Sequence, residues 1–272
     1  MSVDSVSLKG SHKLSDLWHT LSYRVNFRKN NPTYFDADGL IVFVGSQGSG
    51  KTLSAVQYTI KLLKAYPKSK LCTNLMLKDY PIVTFNDWLK VHYPKIVYQS
   101  LNAGKLSEQI KKELFEEYKA LNRVFPFNDN DDLTRYENLD EGIIFLIDEI
   151  QLYMNSLESK NINMAVMTEI SQQRKQRKHI VATSQVFGRL AKPLREQFSN
   201  VVQCKCILNL IQFNQLIDKD SIEDCSDVMK LKGNVLHNYI WFHNPNLYNQ
   251  YDTYYKVQKH KFKGDSNPDI YK

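Results

Sequence analysis

The residues with the most chemistry in their spacing are Gly45-Ser46-Gln47-Gly48-Ser49-Gly50-Lys51-Thr52, which fit G-x-x-x-x-G-K-[ST], the P-loop pattern. They follow the apolar run Leu40-Ile41-Val42-Phe43-Val44 directly, so the order is strand, glycine-rich loop, helix start. A loop of this kind can cradle a polyphosphate. Residues without Cβ let the backbone bend until successive N–H groups point inward, and the next helix adds partial positive charge at its N-terminus. Lys51 would then reach the β and γ phosphates of a nucleoside triphosphate, ATP in the simplest reading, while the Thr52 hydroxyl ligates Mg²⁺.

A second cluster carries acids. Gly142-Ile143-Ile144-Phe145-Leu146-Ile147-Asp148-Glu149 reads as a buried strand ending in two carboxylates. Such a run suits a central parallel strand covered on both faces, and ligands of these sheets sit at the carboxyl ends of the strands. Asp148 is therefore expected beside Thr52 as a Mg²⁺ ligand, and Glu149 as the base that polarises an attacking water. His179-Ile180-Val181-Ala182-Thr183-Ser184-Gln185 reads the same way and delivers Gln185, whose amide can bond both γ-phosphate and water. Just before it stands Arg174-Lys175-Gln176-Arg177-Lys178, for which two readings are open. One is charge matching a helix C-terminus. The other is an arginine, Arg174 or Arg177, offered to the γ-phosphate of the next subunit.

Those side chains need a sheet to hold them. The P-loop helix should stop before Pro67, and Lys70–Leu77 reads as a second strand, parallel to the first through a right-handed crossover. Residues 82–103 hold a short helix capped by Asn86 and the apolar stretch Ile96–Tyr98, and Leu106–Leu121 is a charged helix with Ile110, Leu114, Tyr118 and Leu121 on one face. Asn128–Asp132 reads as an acidic surface loop and Asn163–Lys178 as a helix. Val201–Phe213 and Asn238–His243 read as further strands, followed by the tyrosine-rich Tyr248–Tyr255. The expected fold is α/β, a mostly parallel central sheet flanked by helices, with a small β-rich extension towards the C-terminus. Its expected boundaries are 1–34, 35–255 and a basic tail, 256–272. In the first, Leu14, Leu17, Trp18, Leu21 and Val25 recur at helical spacing, an amphipathic helix from Ser15 to Phe27 that can pack on the core or a neighbouring subunit, or touch a membrane surface or DNA.

Composition sets the outer limits. With 272 residues, 42% hydrophobic and 24% charged, the chain can bury a sizeable core. A net charge of +7 favours polyanionic partners. Cys72, Cys204, Cys206 and Cys225 form no C-x-x-C pair, so reduced thiols in a cytosolic compartment are expected rather than a zinc site. No signal-type segment and no apolar run of about 18 residues is present, and a soluble protein is expected.

On these residues the chain resembles the zonula-occludens-toxin-like assembly ATPases of filamentous phages, within the HerA and FtsK class of DNA-pumping motors. The resemblance rests on the P-loop, Thr73-Asn74, Ile147-Asp148-Glu149-Ile150-Gln151, the arginine-rich segment before an apolar strand ending in Gln185, and Tyr251-Asp252-Thr253. It implies a RecA-like P-loop fold, ATP and Mg²⁺, a ring of identical subunits, usually six, and DNA moved through its channel into a capsid or out through the envelope. It also implies Gln185 as sensor, Arg174 as the trans-acting arginine, capsid or envelope assembly proteins as partners, and the host cytoplasm as location, with recruitment to the virion or inner membrane face. Filamentous-phage members usually carry a membrane-spanning segment after the motor domain and this sequence shows none, which favours packaging, or recruitment by another protein. Two other functions fit a P-loop: a nucleotide-gated scaffold of virion assembly that moves no DNA, and a small-molecule phosphotransferase. Arg189, Lys192 and Arg195, after the Gln185 strand, are the candidate DNA contacts.

Overall fold

Apolar runs become strands, the central ones with a core on each side. In a computed structural model that describes residues 14–37, 39–97, 108–157, 162–222 and 231–251, these are β1 (Leu40–Val44), β2 (Lys70–Thr73), β3 (Val124–Pro126), β4 (Ile143–Ile147), β5 (Lys178–Ser184), β6 (Phe198–Ile207), β7 (Ile211–Ile217) and β8 (Val235–Phe242). They form one sheet in the order β3-β2-β4-β5-β1-β6-β7-β8. Pairings from β3 to β6 are parallel, whereas β6–β7 and β7–β8 are antiparallel. Leu40, Val42 and Val44 turn to one cluster with Ile143, Phe145 and Ile147, and Ile41 and Phe43 turn to the other with Ile144 and Leu146, as the strand period of 2 requires. Phe145 is fully buried, and truncating such a ring to alanine costs roughly 3–5 kcal/mol.

The longer helices are α1 (Leu14–Asn30), α2 (Lys51–Ala65), α3 (Phe85–His92), α4 (Glu108–Leu121) and α5 (Met164–Gln172). The chain divides into two compact units, Met1–Tyr34 and Phe35–Lys272. Within the first, α1 has Asp16 in its first turn and Arg28 and Lys29 in its last, both favourable to the helix dipole. Its Leu17, Trp18, Leu21 and Val25 are exposed. Within the second, α2 runs from the P-loop and buries Leu53, Ala55, Val56 and Leu63. No helix among the described residues is long and apolar enough to cross a membrane.

Several local expectations change. α3 is capped by Thr84, not Asn86, because the Thr84 hydroxyl accepts from Asp87 N at 3.1 Å. α4 buries Leu114, Phe115 and Tyr118 and leaves Ile110 and Leu121 exposed. β3 follows it, a strand too short to stand out in the sequence. The acidic loop ends in a buried residue: Asp132 accepts from Asn128 N at 2.7 Å and pairs with Arg135. α5 stops at Gln172 rather than Lys178, since Arg177 takes a left-handed φ of 52° and reverses the chain. Lys178 opens β5 and is buried against Glu169 and the Leu133 carbonyl, both at 2.7 Å. Val201–Phe213 is two strands rather than one, broken where Leu208 and Asn209 adopt φ of 53° and 55°. Cys225, Asp252–Tyr255 and the 256–272 tail lie outside the described residues.

Candidate functional site

The loop between β1 and α2 is shaped by its glycines and braced from behind. Gly45 N donates to Ser184 O at 3.3 Å, continuing the β1–β5 pairing one step into the loop. Gly48 and Gly50 have φ of 79° and 76°. A Cβ on Gly50 would fall 2.0 Å from Gln212 Oε1, so only glycine fits there. Gln212, on β7 and fully buried, donates to Ser49 O at 2.9 Å and to Asn214 Oδ1 at 2.7 Å. Asn214 in turn donates to Ser54 Oγ on α2 at 3.0 Å. The loop's Ser49 hydroxyl is buried behind it, close to Gly45, with no hydrogen-bond partner among the described residues.

The acids arrive on the same rim. Asp148 Oδ1 accepts from Thr52 Oγ1 at 2.8 Å and from Thr183 Oγ1 at 2.7 Å. Its main chain is gripped by the Asn74 amide, which donates to Asp148 O at 2.9 Å and accepts from Asp148 N at 2.8 Å. Glu149 N donates to Thr183 Oγ1 at 2.9 Å, and Glu149 itself sits in the left-handed region with φ 51°, a conformation uncommon for a side chain of its size. Glu149 Oε1 lies 3.1 Å from Lys51 Nζ and accepts from Gln185 Nε2 at 3.3 Å, and Gln151 donates to its other oxygen. Lys51, Thr52, Asp148, Glu149 and Gln185 thus form one cluster.

Burial pushes the Asp148 carboxyl above its usual range; hydrogen bonds from Thr183 and Thr52 oppose the shift, Glu149 adds to it and Lys51 draws it down. A hard cation would relieve that burial cost. The adjoining hydroxyl and carboxylate oxygens of Thr52 and Asp148 are the donor type Mg²⁺ takes when phosphates complete its shell, so these residues fit that ion.

Both arginines lie elsewhere. Arg177 O accepts from Ile143 N at 3.0 Å at the start of β5, and its guanidinium meets Phe35 O at 3.4 Å and Asp140 at 3.1 Å. The length of β5, on the order of 20 Å at strand rise, separates that edge from the loop. Arg174 O accepts from Arg177 N at 3.3 Å, so within one chain the main chain of both arginines stands about the length of β5 from the Lys51 cluster. Arg189 closes a 3-10 turn, Phe187–Arg189, and Lys192 and Arg195 bound a short helix, all following β5.

A cavity of about 360 Å³ opens over the loop. One side is lined by Gln47, Gly48, Gly50, Lys51, Thr52, Asp148 and Glu149, with Tyr251 bridged to Leu77 nearby; the other includes Cys206, Asn209, His243 and Tyr248. The second wall, the Gln212 brace and the Thr183 bridge were not foreseen as parts of the site. One signal was available for Gln212 and Asn214: they alternate with Phe213 in an apolar segment, as polar groups on a buried strand face do.

A glycine-rich phosphate-type loop between a central parallel strand and its helix defines the P-loop class of α/β fold. Similar solved structures include the N-terminal domain of zonular occludens toxin from Neisseria meningitidis, with TM-score 0.46, 13% identity, and 79% of this chain and 98% of that chain covered. They also include the genome packaging NTPase B204 from Sulfolobus turreted icosahedral virus 2 in complex with AMP, with TM-score 0.38, 17% identity, and coverage of 61% and 74%. B204, the DNA-packaging ATPase from Sulfolobus turreted icosahedral virus, matches with TM-score 0.39, 13% identity, and coverage of 74% and 100%. No family model matches the chain, and no curated protein matches it by sequence. With these three TM-scores below 0.5, it is the pocket geometry that carries the functional reading.

Proposed function

We propose that the protein is an ATPase whose hydrolysis drives DNA movement during genome packaging or virion assembly. The observation that supports it most is the contact of Glu149 with both Lys51 and Gln185, at 3.1 and 3.3 Å, on the rim where the P-loop opens. Lys51 pairs with Glu149. Bound ATP would draw Lys51 onto the β and γ phosphates and leave the Glu149 carboxylate to orient water and take its proton as the oxygen attacks the γ-phosphorus and the bond to the β-phosphate oxygen breaks. Gln185, bonded to the same carboxylate, would sense the γ-phosphate and its loss. Mg²⁺ held by Thr52 and Asp148 would neutralise charge on the phosphate oxygens.

Arg174 or Arg177 acts in this reading on a neighbouring subunit's nucleotide, within a ring of identical chains. DNA is the polyanion of this reading, and a chain of charge +7 suits a polyanionic partner. Glu149→Gln should bind ATP and lose turnover by about 10²–10⁴-fold, the usual worth of a positioned base. DNA titrated into the hydrolysis assay should raise the rate. A rate indifferent to DNA would favour a nucleotide-gated scaffold, and near-normal turnover by Glu149→Gln would sink the mechanism.

A further inference from the structure

Resting on the ATPase reading, the second wall of the cavity has a task of its own. The acids stand at the end of β4, on the β5 side of β1, so the γ end of a triphosphate lies on that side. Its nucleoside must extend the other way, over β6, β7 and β8. There the ends of β6 and β8, the β6–β7 turn and the short Pro245–Tyr248 helix after β8 bring Cys206, Asn209, His243 and Tyr248 to the same cavity. We propose that this wall is the nucleobase subsite, and that it holds a purine by the ring of Tyr248 rather than by reading its hydrogen-bonding edge.

The second half of that statement follows from where the polar atoms go. His243 Nε2 meets Gln212 Oε1 at 3.2 Å, and its Nδ1 meets the Tyr248 hydroxyl. The Tyr248 hydroxyl also donates to the Asn209 carbonyl at 3.0 Å. These groups are engaged with one another, and burial draws the His243 imidazole below its usual range against the opposing pull of its hydrogen bond with Asn209. The Tyr248 and His243 rings meet edge to face, 5.5 Å apart at 75°, so the wall is an aromatic corner with Tyr248 on its exposed side. Stacking tolerates any base, since each has a π-face. Strong discrimination needs buried polar groups left unpaired by the wrong ligand, and the Asn209 side chain, on an exposed turn, is not such a group.

Calorimetric titration of the full chain with ATP, GTP and inorganic tripolyphosphate tests this. Wild type should bind ATP and GTP with Kd values within about tenfold of each other, as a stacking site does. Tyr248→Ala should weaken both by about tenfold and leave tripolyphosphate within about twofold, because only the base is lost to it. Tyr248→Phe, which keeps the ring, should hold ATP within about threefold of wild type. An ATP Kd unmoved in Tyr248→Ala overturns the subsite while the phosphate site stands, and so does a preference for one purine beyond about a thousandfold. A wild-type chain that binds neither ATP nor tripolyphosphate overturns the ATPase reading, and the subsite with it.

Discussion

The two sides of β1 are built differently. Towards β5, β4 and β2 the strands are parallel and buried on both faces; β5 has no exposed residue from Lys178 to Ser184. Towards β7 and β8 they are antiparallel, and β8 is exposed at nearly every position. The parallel side ends in the acids, the amide and the hydroxyls that touch them. The antiparallel side ends in the Leu208–Leu210 turn and in the segment after β8 that carries the His243 and Tyr248 rings. Burial on two faces fixes where a strand end stops, which suits groups whose placement decides a reaction, while turns tolerate variation and suit contacts to the rest of a ligand.

Substitutions can break that contrast or sharpen it. The largest effect is expected at its seam: Lys51→Ala should reduce ATP turnover by at least roughly a hundredfold, as loss of one preorganised cationic donor does, and a rate unaffected by it would dissolve the contrast altogether. Next comes Asn74→Ala on the parallel side, which strips both hydrogen bonds from the Asp148 main chain. It should cost about 2 kcal/mol, a Tm fall of roughly 4–8 °C by thermal unfolding.

Gln212→Ala asks whether the antiparallel side only decorates the loop. It leaves Ser49 O without the Gln212 donor and Asn214 Oδ1 with only the longer contact from Ser54, so about 1–2 kcal/mol of stability and several-fold in ATP affinity should go together. Lost stability with unchanged affinity would show that β7 supports the fold but not the loop. The smallest effect lies on the far flank of the parallel side. Burial pushes the Asp132 carboxyl up to about 6 against the pull of Arg135, so folding favours its protonated form. That stability is complete below about pH 4, the ordinary aspartate value, and is lost as pH rises through the folded value. Unfolding measured at pH 5 and pH 7 should differ by on the order of 1 kcal/mol in favour of pH 5, and Asp132→Asn should flatten the difference.

The same contrast governs what could be read from residue order alone. Continuous apolar runs such as Leu40–Val44 and Ile143–Ile147 have one structural use at that length, and their polar termini point to the carboxyl edge by topology. The P-loop and the residues at the ends of β4 and β5 were legible for that reason. β6 and β7 were read as a single strand because the break at Leu208-Asn209-Leu210 contains no glycine or proline, only two residues that the fold forces to positive φ. Nor does a residue type announce a tertiary hydrogen bond. Thr183 looks like any β-branched strand residue, and its bridge between Asp148 and Glu149 exists only once β4 and β5 pair.

The grip of Asn74 on Asp148 has a mechanical side. β2 stops at Thr73, yet the amide beyond it offers one donor and one acceptor to the neighbouring main chain, as another strand residue would. A side chain thereby lengthens the ladder by a rung, and Thr183 pins the following peptide from the opposite side. With the peptide clamped from left and right, whatever motion a reaction cycle asks of this corner must come from torsion within the Glu149 side chain, not from travel of the backbone that carries it.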